Sequence, residues 1–304
     1  MNASAEESAT PDIDRARLPE GTALLEKLGR GRVVVGDFPV READRDAHLR
    51  TAEALAGSVD LALIGEPISV VRQFPPAYRT RLLRDQGLAV WTSLNCRDRN
   101  RVALEGELVA LADVGASAVH AITGGHPARG RRPDAMPVFD ISAMELTTLA
   151  AQTPLVVSAA EAPEEPPAET RAARFAEKAR RGADIAFLNL TSSPEVVDDF
   201  LRAVAELGQR RPAVVCVPFI IDEDTASVLT SLHASTMPAG YVERILAASD
   251  TLTAGIRAFV ELATAYLDVP GVAGVCLSGG GAPGRQLDYA RAMATAAREL
   301  GAGL

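Results

Sequence analysis

The residues best suited to chemistry gather in one stretch, Leu94–Asp140. Asn95, Arg97, Asp98, Arg99 and Asn100 lie near its start, Thr123-Gly124-Gly125-His126-Pro127 in its middle, and Pro137-Val138-Phe139-Asp140 at its end. Other polar residues follow apolar runs elsewhere: Asp37, Glu66, Glu161, Asn189, Asp222, Glu223 and Ser278. Carboxyls in such places either donate protons or cap the next helix, and Asp37 is open to both roles. Arg97-Asp98-Arg99 either orders a loop as a local ion network or meets a ligand. His126, before Pro127, either shapes a turn or enters a site. Asn189 ends an apolar run, and a buried amide has to be hydrogen-bonded, for which a ligand is a natural partner. Gly279-Gly280-Gly281 before a helix either cradles a phosphate or lets the chain turn.

Several chemistries find no motif. There is no GxSxG, no GxxxxGK[ST] and no CxxC. The three cysteines, Cys96, Cys216 and Cys276, sit in or just after apolar runs and read as buried free thiols, so neither a metal site nor a disulfide framework is expected. His48, His120 and His233 fall in helix, strand or helix-end contexts and receive no role. The net charge of −9 argues against sequence-independent nucleic-acid binding, which needs a basic footprint. No apolar run reaches the roughly 18 residues of a membrane helix. The expectation is a cytoplasmic protein acting on a small molecule, with a homo-oligomer left open.

The elements that must position these residues alternate. Short β-branched runs predict strands at Arg32–Val35, Leu61–Ile64, Leu88–Leu94, Ala118–Ile122, Pro154–Ser158, Ile185–Asn189, Ala213–Val217 and Val272–Leu277. Helical periodicity predicts helices between them, with Gly115 just past one end as a C-cap and Ser193 as an N-cap before Pro194. Three helices, near Glu223–Leu232, Tyr241–Ala248 and Leu252–Leu267, are expected between strands seven and eight. Continuous apolar strands suit a parallel sheet buried on both faces. Eight units in about 270 residues match an α/β fold of the (β/α)8 TIM barrel type. An open doubly wound sheet is the alternative, but Gly36-Asp37-Phe38-Pro39 after strand one carries no glycine fingerprint. The division expected is a disordered tail over residues 1–20 and one barrel domain over 21–304. A parallel barrel places its active site at the C-terminal ends of its strands.

The stretch also resembles the methylenetetrahydrofolate reductases, especially the short bacterial kind without a regulatory domain. Leu94-Asn95-Cys96-Arg97-Asp98-Arg99-Asn100 is similar to the family's LTCRDRN segment, Thr123-Gly124-Gly125-His126-Pro127 to its TGDxP turn, and Met136-Pro137-Val138-Phe139-Asp140 to its KPVFD. Glu177-Lys178-Ala179 with Gly182-Ala183-Asp184, and Pro238 to Arg244, resemble later segments. The resemblance implies a barrel that binds FAD, takes a hydride from NAD(P)H, and reduces 5,10-methylenetetrahydrofolate to 5-methyltetrahydrofolate. It assigns Arg97, Asp98, Thr123, Gly124, Gly125, His126, Phe139, Asp140 and Lys178 to cofactor binding, with Lys178 on the flavin pyrophosphate. Asn189 falls at a folate-binding glutamine, and Glu161 joins it as a substrate-site candidate. Asp37 and Glu66 are the candidates for the catalytic acid.

The chain also departs from the family. Gly36 stands at the family's strand-one glutamate, with Asp37 one place along. Because a one-residue slip turns a strand side chain to the other face, Asp37 is expected to serve only if the strand ends before it. Gly125 replaces an aspartate beside the flavin ring, and Ala162 and Pro166 align with an aromatic and a histidine. Loss of several groups near one cofactor implies altered or absent flavin binding.

Overall fold

In the computed structural model, residues 16–70, 72–230 and 236–302 are described. The eight strands are β1 (Val33–Asp37), β2 (Leu61–Ile64), β3 (Val90–Asn95), β4 (Ala118–Ile122), β5 (Val156–Glu161), β6 (Ile185–Leu188), β7 (Ala213–Pro218) and β8 (Val272–Ser278). They hydrogen-bond in chain order, and β1 closes onto β8, so the sheet is a barrel rather than an open doubly wound sheet. All eight pairings are parallel. The helices are α1 (Pro19–Arg30), α2 (Arg45–Leu55), α3 (Pro76–Arg84), α4 (Arg101–Asp113), α5 (Ala143–Ala150), α6 (Arg171–Arg180), α7 (Pro194–Glu206), α8 (Glu223–Thr230), α9 (Tyr241–Leu246), α10 (Thr251–Leu267) and α11 (Gln286–Ala302). The expected insertion between strands seven and eight is α8–α10. The tail of the first expected helix there and His233 lie outside the described residues, as do residues 1–15.

Strand alternation sorts the side chains into two layers. Val33, Val35, Leu61, Leu63, Trp91, Val156, Ile185, Phe187, Val214, Cys216 and Cys276 share the cluster inside the barrel. Val34, Ala62, Val90, Val215 and Val275 point outward to the helices. Inside, the Trp91 and Phe187 rings meet edge to face at 5.2 Å. Trp91 Nε1 donates to Ser158 Oγ, which also bonds His120 Nδ1. Burial, reinforced by the Lys178 charge, lowers His120 to about 3, so this floor is neutral. All three cysteines are free and buried.

The N-terminal end of the barrel is closed by α1. Leu24 and Leu28 enter the inner cluster, and each such burial contributes about 1.5–3 kcal/mol. Arg17 braces the approach by pairing with Asp184 at 2.6 Å, and the helix begins at Pro19, inside the stretch expected as tail. Side-chain caps start the helices as local chemistry requires: Asp44 on α2, Asn100 on α4, a Ser142–Glu145 capping box on α5 and Asp250 on α10. Ser193 precedes α7 but makes no capping hydrogen bond, so Pro194 alone marks that start. Among the described residues no helix is long and apolar enough to cross a membrane.

Candidate functional site

The last inward positions of the strands form the C-terminal mouth. Continuing the alternation, these are Asp37 on β1, Asn95 on β3, Ser278 on β8, and Asn189 just beyond β6. The expectation for strand one is corrected here. β1 runs through Asp37, and a Cβ on Gly36 would meet Met293 and Val59 on the outer side. Position 36 therefore faces the helices, and Asp37 faces the mouth because the strand continues to it.

Arg41, in the loop after β1, fixes Asp37. Its Nη2 donates to Asp37 Oδ2 at 2.8 Å and to the Gly279 carbonyl at 2.9 Å, tying β1 to the loop after β8. Burial pushes the Asp37 carboxyl above its ordinary value, against the opposing charge and hydrogen bond of Arg41. The side chain keeps 19% of its surface exposed, so it still meets the mouth. Gly279 has φ 155°, and a Cβ there would lie 2.4 Å from Tyr289 Oη. The glycine run thus serves close packing at this corner; α11 starts only at Gln286.

Asn189 is half-buried, and its backbone N–H donates to the Glu161 carbonyl. Its side-chain amide has no partner among the described residues, so it is an open donor and acceptor at the mouth.

The β2–β4 side of the mouth is organised differently. Glu66 Oε2 accepts from the backbone N–H and the amide of Asn95 and from Arg99 Nη1, while Oε1 accepts from Arg99 Nη2 at 2.7 Å. Asn95 Oδ1 accepts from the backbone N–H groups of Arg97 and Asp98. Arg97 forks onto both oxygens of Asp98 and also reaches the Glu66 carbonyl. Burial would raise Asp98, but the Arg97 hydrogen bonds and charge outweigh it and hold the carboxyl below its ordinary value. Both Glu66 oxygens are engaged, so the second acid candidate is a loop anchor. Gly124, at φ 85°, lets the next loop pass: a Cβ there would sit 3.1 Å from Arg97 Cβ and 3.2 Å from Asn95 Cβ.

The rest of this stretch braces the same loops. Val138 and Phe139 donate backbone N–H groups to the Arg97 and Cys96 carbonyls. Asp140 Oδ2 accepts from Arg101 N at the start of α4. His126 Nδ1 accepts from Ala128 N, shaping the turn at Pro127, and Thr123 and Gly125 are exposed beside it.

Strand five is longer than its sequence suggests. Pro154 cannot donate to the ladder, so β5 starts later, and Ala159 and Ala160 carry it on to Glu161. This places Glu161 on the outward face, against α6. Its carboxylate meets Lys178 Nζ at 2.8 Å, Arg171 at 3.2 Å and Arg174 at 3.4 Å, and none of its side chain is exposed. Lys178 donates to the Ala160 carbonyl as well and is 6% exposed. These two residues knit the barrel to α6 and do not face the mouth.

That arrangement bears on the flavin implied by the resemblance. The lysine assigned to the pyrophosphate is buried on Glu161, Gly125 supplies no carboxylate, and Ala162 and Pro166 supply no aromatic ring. The residues present do not fit FAD.

Two positioning residues escaped the sequence reading. Arg41 had one available signal, its i+4 spacing from Asp37. Arg79 lies inside α3, is 1% exposed, and donates to the Gly65 and Val40 carbonyls and to His48 Nε2. It ties the loops after β1 and β2 together, and only the tertiary structure reveals it. Among the described residues no three His, Cys, Asp or Glu side chains are grouped to hold a metal ion.

Fold and mouth together define a (β/α)8 barrel with its open polar groups at the strand ends. No family model matches the chain, and no curated protein does. Among solved structures it is similar to an uncharacterized protein from Clostridium thermocellum that binds two copies of 5-methyl-5,6,7,8-tetrahydrofolic acid. That match has 12% identity and a TM-score of 0.69, over 92% of this chain and 99% of that one. It is also similar to 2,3-dimethylmalate lyase, a PEP mutase/isocitrate lyase superfamily member, in two crystal forms. Both are 12% identical, with TM-scores of 0.52 and 0.53, over 85% and 86% of this chain. At these identities the likenesses establish the fold.

Proposed function

We propose that the mouth binds a reduced folate and that the protein reduces its methylene bridge with NAD(P)H, giving 5-methyltetrahydrofolate without a flavin. The observation that carries this reading is that the last inward positions of the barrel include a carboxyl, Asp37, and an amide without a side-chain partner, Asn189. The ordered motifs shared with the methylenetetrahydrofolate reductases support it. So does the C. thermocellum barrel, whose ligand is the product of this reaction.

Each group has a task. The Asn189 amide hydrogen-bonds the pterin and orients it. Asp37, kept protonated to higher pH by burial, gives its proton to N10 of 5,10-methylenetetrahydrofolate as the C–N10 bond opens. The resulting N5 iminium accepts a hydride at its methylene carbon from NAD(P)H. Products are 5-methyltetrahydrofolate and NAD(P)+, with the Asp37 proton restored from solvent. Arg41 holds the acid in place but leaves one carboxyl oxygen free of its hydrogen bond.

The test is NAD(P)H oxidation by the purified protein with and without methylenetetrahydrofolate, with 5-methyltetrahydrofolate measured as product. Folate binding without such oxidation would overturn the reductase reading and leave a one-carbon transferase or a non-catalytic folate binder.

A further inference from the structure

At the opposite, N-terminal end of the barrel a cavity of about 590 Å³ lies between α1, α7 and the segments leading into β7 and β8. Its volume is within the range of small-molecule sites, about 300–1,000 Å³. The exposed or partly exposed apolar groups of Leu201, Ala205 and Pro270 line it, together with the polar groups of Arg30, Gln209 and Arg210.

Three features distinguish it from an ordinary surface crevice. Gln209 is 4% exposed, yet its side-chain amide has no hydrogen-bond partner among the described residues. The Gln209 amide is not fully enclosed, so it opens onto the cavity as a free donor and acceptor. Arg30 and Arg210 likewise make no ion pair or side-chain hydrogen bond among the described residues. The one carboxylate on the lining, Asp198, is engaged by Arg202. The free charge at the cavity is therefore positive, on a chain whose net charge is −9.

We infer that this cavity is a second binding site, for a small aromatic carboxylate. The apolar wall takes the ring, Gln209 hydrogen-bonds a polar group on it, and Arg30 and Arg210 pair with the carboxylate. The site lies at the face of the barrel away from the catalytic strand ends, so it binds rather than reacts. It stands whether or not the mouth reduces folate.

The experiment uses the full chain with p-aminobenzoylglutamate, an aromatic dicarboxylate, and inorganic phosphate as a charge-only probe. Titration calorimetry gives affinity, and hydrogen–deuterium exchange gives location. The aromatic probe should protect the segments 201–212 and 269–273 and bind more tightly than phosphate. Gln209→Leu should weaken it about tenfold and the double change Arg30→Glu, Arg210→Glu about a hundredfold. Protection only at the strand-end mouth, no protection at all, equal binding of phosphate, or unchanged affinity in both variants would overturn the inference. Because Arg30 and Arg210 are exposed, the double variant keeps the test readable if Gln209→Leu fails to fold.

Discussion

The two sides of the barrel mouth are built on different principles. On the β2–β4 side Glu66, Asn95, Arg97, Asp98 and Arg99 satisfy one another, and residues 138–140 stitch the same loops together. On the side formed by β1, β6 and β8, Asp37 has one cationic partner and Asn189 has none for its amide. The contrast teaches that the segments most like the reductase family are here the frame of the mouth. Asp37 and Asn189, the open groups on the other side, stand at positions where the chain departs from that family. A saturated network rigidifies a loop, whereas an open carboxyl or amide has capacity for a substrate.

Substitutions on the two sides should therefore separate activity from stability. The largest expected effect is Asp37→Asn, which should lower folate-dependent turnover by about 10²–10⁴-fold while folate still binds. Its pH profile carries a sign. The acid works in its protonated form, and burial raises its pKa. Turnover should be fullest at low pH and fall as pH rises through that raised pKa, and Asp37→Asn should remove the alkaline limb.

Next comes Glu161→Gln, which leaves Lys178 and Arg171 buried without their carboxylate. Breaking such a pair costs about 3–5 kcal/mol, measurable as a shift in the urea midpoint followed by the single tryptophan, Trp91. The residual folded protein should keep its affinity for folate. Asn189→Ala should do the reverse, raising the folate KM about tenfold with an unchanged melting temperature. The smallest effect belongs to His126→Ala. His126 is exposed, shapes the turn at Pro127 and lies loosely beside the Phe139 ring at 6.3 Å, so stability should move by no more than about 0.5 kcal/mol and turnover should hold. A large loss of turnover there would move the active centre to the β4 loop.

Much of this architecture was legible in the sequence. Eight apolar runs separated by helical periods dictated the closed parallel barrel, and β2 and β4 fall where their residues alone place them. The misplaced features share a cause, since local pattern does not report which face a strand-end residue takes. Ala159 and Ala160 have little strand signal, so Glu161 looked like a loop residue when it is the outward end of β5. That one difference in strand length moves Glu161 and Lys178 from the expected ligand site into a buried ion cluster. At β1 the same uncertainty worked in the other direction, and the strand's continuation brings Asp37 inward. Arg79 was invisible because its partners, the Val40 and Gly65 carbonyls, lie on two separate loops.

The central claim is that this mouth reduces a methylene folate with an aspartate acid and no flavin. The most direct measurement combines a visible absorption spectrum of the purified protein with anaerobic NAD(P)H oxidation on adding methylenetetrahydrofolate. The account predicts no flavin absorbance and one NAD(P)H consumed per 5-methyltetrahydrofolate formed. A protein that carries bound flavin, or one that leaves NAD(P)H unoxidised with folate bound, would contradict it.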